Sequence, residues 1–306
     1  MVCFTKWLFI YATNFLIPLL PRKAYLWLGD LIGRLSRNSY QAQITRRELS
    51  RYLGPDVPPE EIARIAVKGM GDYKKDLFEI WELPRLSKPD MAQYAFIDGR
   101  EHLDRVLEQG KGAVLGVTHF GSWKMLIACL AYAGYPINQI GIDPRRMISP
   151  RHPMHHNLVM QLEYRFEESI PANFLYIKGN NLRPAFKALL ANEVVVSSID
   201  GMLGPRRVEL DFLHLVNKLN MGPVLLALRT RAPLLPCFAI RQEDQRHRVV
   251  LHPPLPLDYD DSDSGAAGLR GLRAFNTLFQ EQVSRHPSLY SRRLFDHAVT
   301  PEYWSQ

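Results

Sequence analysis

Cysteine is scarce in this chain of 306 residues: Cys3, Cys129 and Cys237 are all it has. They lie far apart among apolar neighbours and form no CxxC pair. That excludes a disulfide framework and fits reduced thiols away from an oxidising compartment. Several motifs that carry chemistry are missing as well. There is no GxxxxGK[ST] phosphate loop and no GxGxxG turn. No GxSxG elbow is present, which argues against an α/β serine hydrolase. HExxH is absent, and the cluster His152, His155 and His156 lacks further ligands at workable spacing, so no metal is expected. Internal repeats and low-complexity tracts are also lacking. With 46% hydrophobic and 23% charged residues, the composition is that of a folded chain.

The charge balance is basic, +7 with a pI near 9.3. Such a balance attracts phosphates on nucleic acid, anionic lipid or a phosphorylated substrate. Here it is diffuse and joined to no aromatic-basic recognition motif, so nucleic acid is not an expected partner. From Met1 to Pro21 the only charged side chain is Lys6, and Trp7 to Leu20 is apolar and aromatic. A span needs roughly 20 apolar residues, so this run is marginal for crossing a bilayer. No small-residue cleavage site follows it. Arg22 and Lys23 come next, then an amphipathic piece, Ala24 to Arg34, carrying Tyr25 and Trp27. Aromatic residues flanked by basic ones suit a membrane interface. Residues 1–35 are therefore expected to form a membrane-associating helical segment, spanning or lying on the surface.

Residues 36–306 read as one α/β domain with a helical preface over 36–100. Glu60–Val67 and Asp76–Leu83 carry apolar residues at three- and four-residue spacing. Further on, short apolar runs alternate with helical patterns. Strands are expected at 112–118, 137–142, 194–199, 234–241 and 247–252. Helices are expected at 101–109, 122–133, 181–191, 221–231 and 269–285, with 258–268 a polar loop. Such alternation argues a mostly parallel central sheet flanked by helices.

His119 follows the strand at 112–118 and precedes the helix starting near Ser122. Ligands of open α/β sheets bind outside the carboxyl ends of strands. Gly121 permits a tight turn there, and the helix start offers free N–H groups to an oxyanion or phosphate. Asp200 follows the strand at 194–199 and is expected on the same rim. Arg145, Arg146 and Arg151 come after the strand ending at Ile142, and Arg206 and Arg207 follow Gly204; these are candidate phosphate contacts.

The segment His-Phe-Gly-Ser-Trp-Lys, residues 119–124, resembles the HFGNWE block of the lipid A late acyltransferases, the lauroyl and myristoyl transferases. That block carries an HxxxxE signature, written HxxxxD in glycerol-phosphate acyltransferases. Four further blocks are similar in the same order: Asn181–Asp200, Gly204–Leu213, Met221–Arg241, and Asn276–Tyr290 with its Arg285-His-Pro-Ser. The resemblance covers nearly the whole chain. It implies a glycerol-phosphate acyltransferase-like fold with an N-terminal membrane anchor, at the bacterial inner membrane with the catalytic domain facing the cytoplasm. It implies transfer of a fatty acyl chain from an acyl carrier protein or coenzyme A thioester to a hydroxyl or amine of a lipid or glycolipid, lipid A by default. No cofactor is implied beyond that acyl-thioester co-substrate. His119 takes the place of the general base, and an arginine after the second strand, Arg145 or Arg151, that of a phosphate contact.

One position departs from the pattern: Lys124 stands where the signature has glutamate. A charged lysine only donates hydrogen bonds, so it cannot orient the imidazole or stabilise its cationic form as a carboxylate does. Three readings follow. Asp200 substitutes as the carboxylate; or Lys124 binds a phosphate or acidic group of a substrate; or the chain has lost transfer and is a non-catalytic lipid- or acyl-carrier-binding protein on the same fold.

Overall fold

The computed structural model describes residues 16–141, 164–165, 168–176, 181–201 and 206–299. Four helices come first: α1 (Arg22–Leu35), α2 (Tyr40–Leu53), α3 (Pro59–Glu82) and α4 (Lys88–Tyr94). Local chemistry explains their starts. The Ser39 hydroxyl accepts from the Ala42 N–H ahead of α2. Pro59 opens α3, with Glu60 and Glu61 in its positive first turn. Ser87 and Asp90 form a capping box on α4. Helix α1 lies tightly along α3 because both present glycine at the crossing. A Cβ at Gly33 would stand 2.8 Å from the Gly71 nitrogen.

The sheet has seven strands: β1 (Ala95–Asp98), β2 (Ala113–Val117), β3 (Ile137–Gly141), β4 (Asn173–Tyr176), β5 (Val194–Ser198), β8 (Leu234–Arg241) and β9 (His247–Leu251). Their order is β1-β9-β8-β2-β5-β3-β4. Strands β8, β2, β5, β3 and β4 run parallel, whereas β9 returns antiparallel to β8 and β1 pairs parallel with β9. A separate hairpin joins β6 (Arg207–Phe212) to β7 (Leu215–Asn220). Helices α5 (Arg100–Glu108), α6 (Trp123–Tyr132), α7 (Arg183–Leu190), α8 (Gly222–Thr230), α9 (Ser264–Arg285) and α10 (Ser291–Val299) complete the chain.

Strands β2, β5 and β8 are apolar on both faces because both faces are covered. Val114, Val195, Leu234 and Phe238 pack with residues of α7, α8 and α9. Leu115, Val117, Val194 and Val196 pack with α5, α6 and the Phe78–Trp81 end of α3. The mostly parallel α/β architecture agrees with the sequence pattern. The expected loop at 258–268 does not extend that far, since α9 starts at Ser264. The Asp263 carboxylate accepts from the Gly265 and Ala266 N–H groups. A first turn of glycine and alanine has little apolar periodicity to reveal it. Helix α10 and the short strands β1 and β4 also lie outside the sequence expectations.

A buried charge network joins α1 and α3 to the β8–β9 edge. Glu79 accepts from Arg22 at 2.7 Å, from Arg241 at 2.6 Å, and pairs with His247 Nε2 at 2.7 Å; Arg241 also reaches Asp76. Asp76, Glu79 and His247 bring ligand-type atoms within 4.8 Å of one another. The guanidinium groups already engage both carboxylates, which makes this a charge-compensated lock.

Among the described residues no helix is long and apolar enough to cross a membrane. Residues 1–15, which hold most of the apolar N-terminal run, lie outside the described set.

Candidate active site

Strands β2 and β5 are neighbours, so the residues that follow them meet at the carboxyl rim of the sheet. The pairing runs one step past β5, with Ile199 N–H donating to Val117 C=O at 2.8 Å. The chain after β2 then turns sharply. Phe120 goes inward against Phe238, with ring centroids 6.0 Å apart. Gly121 takes φ +61°, its N–H donates to Leu289 C=O, and a Cβ there would sit 2.1 Å from the Ala239 oxygen. With Phe120 buried and the backbone reversed, His119 is left at the open side of the rim, its side chain 36% exposed.

Asp200 lies beneath it, 1% exposed. Its Oδ1 stands 2.8 Å from His119 Nδ1, and the His119 backbone N–H donates to both carboxylate oxygens at 3.1 and 3.0 Å. The Ser198 hydroxyl donates to Oδ1 at 2.8 Å. Arg293, from α10, places Nε 3.4 Å from Oδ2 and donates to the Asp200 main-chain carbonyl. Burial alone would raise the Asp200 carboxyl. The charges of His119 and Arg293 and the hydrogen bonds from His119 outweigh it and hold the group well below the usual carboxylate range. An ionised carboxylate only accepts, so His119 Nδ1 is the donor in this contact and Nε2 is the ring nitrogen that faces away from it. A ring held against a buried anion in this way can take a proton from a hydroxyl at Nε2.

The other expected residues fall into three groups. Ser122 stands at the N-cap position of α6 and is buried; among the described residues its hydroxyl and that of Thr118 have no hydrogen-bond partner. Lys124 is in the first turn of α6, only 5% exposed, with Nζ 5.3 Å from the Trp123 ring centroid; Trp123 in turn meets His119 edge-on at 6.0 Å. The carboxylate at His119 Nδ1 thus comes from Asp200 rather than from position 124. Arg206 is exposed, whereas Arg207 is half-buried and feels both Arg293 and Asp200. Arg145, Arg146 and Arg151, with the neighbouring histidine cluster, lie outside the described residues.

Ser198, Arg293 and His297 were not expected from sequence. The only signal for Ser198 is its place at the end of a strand, and the two α10 residues come from a helix that sequence reading missed. Burial pushes His297 down to about 3, helped by repulsion from Arg293. Cys129 is pushed up to about 12 by burial and Cys237 is raised for the same first cause, so neither thiol is a ready nucleophile at neutral pH.

Comparison with known proteins bears on the family of the chain. Residues 1–292 match the family described as bacterial lipid A biosynthesis acyltransferase. A phosphatidylinositol mannoside acyltransferase of Mycobacterium tuberculosis is 28% identical over 255 residues, 79% of this chain and 73% of the relative. The protein of that name from Mycolicibacterium smegmatis is 27% identical over 207 residues, 66% of this chain and 63% of that one.

Proposed function

The chain belongs to the bacterial lipid A biosynthesis acyltransferase family and is an acyltransferase, and from that premise we propose that it acylates a sugar hydroxyl of a lipid or glycolipid, taking the acyl chain from an acyl carrier protein or coenzyme A thioester. The single observation that carries the catalytic part is the 2.8 Å contact between His119 Nδ1 and the buried carboxylate of Asp200.

His119 Nε2 takes the proton of the acceptor hydroxyl as its oxygen attacks the thioester carbonyl. A C–O bond forms and the carbonyl oxygen becomes an oxyanion. The first N–H groups of α6 are suited to receive it. When the tetrahedral species collapses, the C–S bond breaks and the imidazolium returns its proton to the leaving thiolate. Asp200 stabilises that imidazolium. This reading accounts for Lys124 at the signature position, because a carboxylate from another strand serves the imidazole.

The acceptor class rests on the names of the relatives. Lipid A and phosphatidylinositol mannoside are both glycolipids that carry phosphate. We extend that class to this chain, with Arg145, Arg151 and Arg206 as candidate phosphate contacts. Attachment to the cytoplasmic face of the bacterial inner membrane is the matching location. Its support is the exposed apolar series Leu16, Leu19, Leu20, Trp27, Leu35 and Tyr40.

The test is thiol release and lipid mass spectrometry with each donor and a phosphoglycolipid acceptor. His119→Ala is expected to lose about a thousandfold in turnover, the scale of a lost general base. Asp200→Asn is expected to lose a similar factor and to melt at a lower temperature, because Arg293 loses its buried counter-ion. Native turnover in His119→Ala would sink the mechanism, and failure of the native protein with both donors would sink the donor class.

A further inference from the structure

The carboxylate that orients His119 is itself held from a distant part of the chain. Arg293 is 93 positions from Asp200 and only 7% exposed. One guanidinium nitrogen donates to the Asp200 carbonyl while Nε lies 3.4 Å from Oδ2. Helix α10 is seated for this contact. The turn Pro287–Tyr290 ahead of it is buried at Ser288, Leu289 and Tyr290, and Leu294 packs in the core beside them. Leu289 also accepts from Gly121 in the His119 turn. The carboxyl-terminal segment therefore grips both halves of the pair, the His119 loop through Leu289 and Asp200 through Arg293.

We propose that Arg293 is a positioning residue for the His119–Asp200 pair: its guanidinium holds the main-chain carbonyl of Asp200 by a hydrogen bond and the carboxylate by an ion pair, and so keeps that carboxylate in place behind the imidazole. The inference rests on His119 being the base. A buried arginine beside a carboxylate must be compensated, and here the compensating anion is the one that works on the imidazole. Lysine has one nitrogen and cannot span the carbonyl and the carboxylate together. Among the described residues, the titratable groups around the guanidinium are Asp200 and His119 at the strand ends, Arg207 on β6, Tyr52 on α2, Tyr290 before α10, and His297 on α10 itself. Removing one positive charge from this set favours protonation of the pair, whichever of its two members takes the proton.

The experiment is a pH profile of kcat and KM for thioester-dependent acyl transfer by the full chain in Arg293→Lys and Arg293→Met, with melting temperature recorded and His119→Ala alongside. Arg293→Lys is expected to lower kcat about tenfold at unchanged KM, with the acid limb in place because the charge remains. Arg293→Met is expected to lower kcat further and move the acid limb upward by about one pH unit, the scale of a lost neighbouring charge. A role limited to holding α10 would lower the melting temperature or the amount of active protein without moving that limb. An unmoved acid limb in folded Arg293→Met overturns the proposal. If Arg293→Met does not fold, Arg293→Lys decides: native kcat in that variant overturns it and the tenfold loss supports it. Activity surviving in His119→Ala would strike the reading of the base instead, so the two failures are distinguishable.

Discussion

At the scale of single residues, the site places ionisable groups where protonation costs stability. His297 is pushed down to about 3 by burial and by Arg293, and His252 and His286 are lowered too, burial again being the first cause. A group with a depressed folded value binds fewer protons when native than when unfolded. Stability is therefore at its plateau above the ordinary histidine value and falls as the pH drops below it. Chemical denaturation between pH 7 and about 4.5, above the carboxylate range, is expected to show stability decreasing with acid. His297→Gln should make that slope shallower; an identical slope would show that His297 is not its source. Lys124 gives a second residue-scale test. The side chain is buried beside Trp123, so Lys124→Glu exchanges a cation seated at the ring for a desolvated anion. Restoring the signature letter in this way is expected not to raise activity, and a large gain in thiol-release rate would refute that. His119 and Asp200 were legible in the sequence because each follows an apolar run of strand length. Arg293 was not, because its role depends on a chain segment returning from the far end, and no local pattern reports that.

At the scale of elements, two structures hold the site in place, and each has a breakable point. The turn after β2 depends on Gly121. Alanine there meets both a left-handed φ and the Ala239 carbonyl. Gly121→Ala is expected to cost about 3 kcal/mol, the upper end for one strained backbone position, and to displace His119. Thermal melting and the acyl-transfer assay should fall together. The second point is Glu79, which two arginines and a histidine engage at once. Burial would raise its carboxyl, but the pull of Arg241 and His247 overcomes that and holds it well below the usual carboxylate range. Glu79→Leu strands those partners in the interior and is expected to cost about 3–5 kcal/mol, read as a lowered denaturation midpoint. The helices other than α10 and the long buried strands could be read from apolar spacing. The four-residue strands β1 and β4 could not, since so few side chains set no period. The Glu79 lock is equally invisible in sequence, because its members come from α1, α3, β8 and β9.

At the scale of the whole molecule, the distribution of exposed apolar side chains is lopsided. Among the described residues, Leu16, Leu19, Leu20, Trp27, Leu35 and Tyr40 are exposed at the amino-terminal end, while Leu190 and Val216 are the other large hydrophobics so placed. The contact of Gly33 with Gly71 fixes α1 along α3, and Arg22 ties its start to Glu79. Trp27 and Leu35 are thus carried on a rigid support, with Lys23, Arg34 and Arg37 near them in sequence. Aromatic and leucine side chains beside basic residues are what an anionic lipid surface takes up. The matching measurement uses an environment-sensitive thiol label in a Cys3→Ser background, since Cys129 and Cys237 are buried. Labels at Trp27→Cys and Leu35→Cys are expected to brighten and blue-shift on adding vesicles of phosphatidylglycerol and phosphatidylethanolamine. A label at Leu190→Cys, 81% exposed on α7, should not. Equal responses at all three positions would mean that α1 does not face the lipid. A response confined to positions 27 and 35 would set the lipid surface against α1 and give the rim carrying His119 a defined direction relative to the bilayer from which its acceptor is drawn.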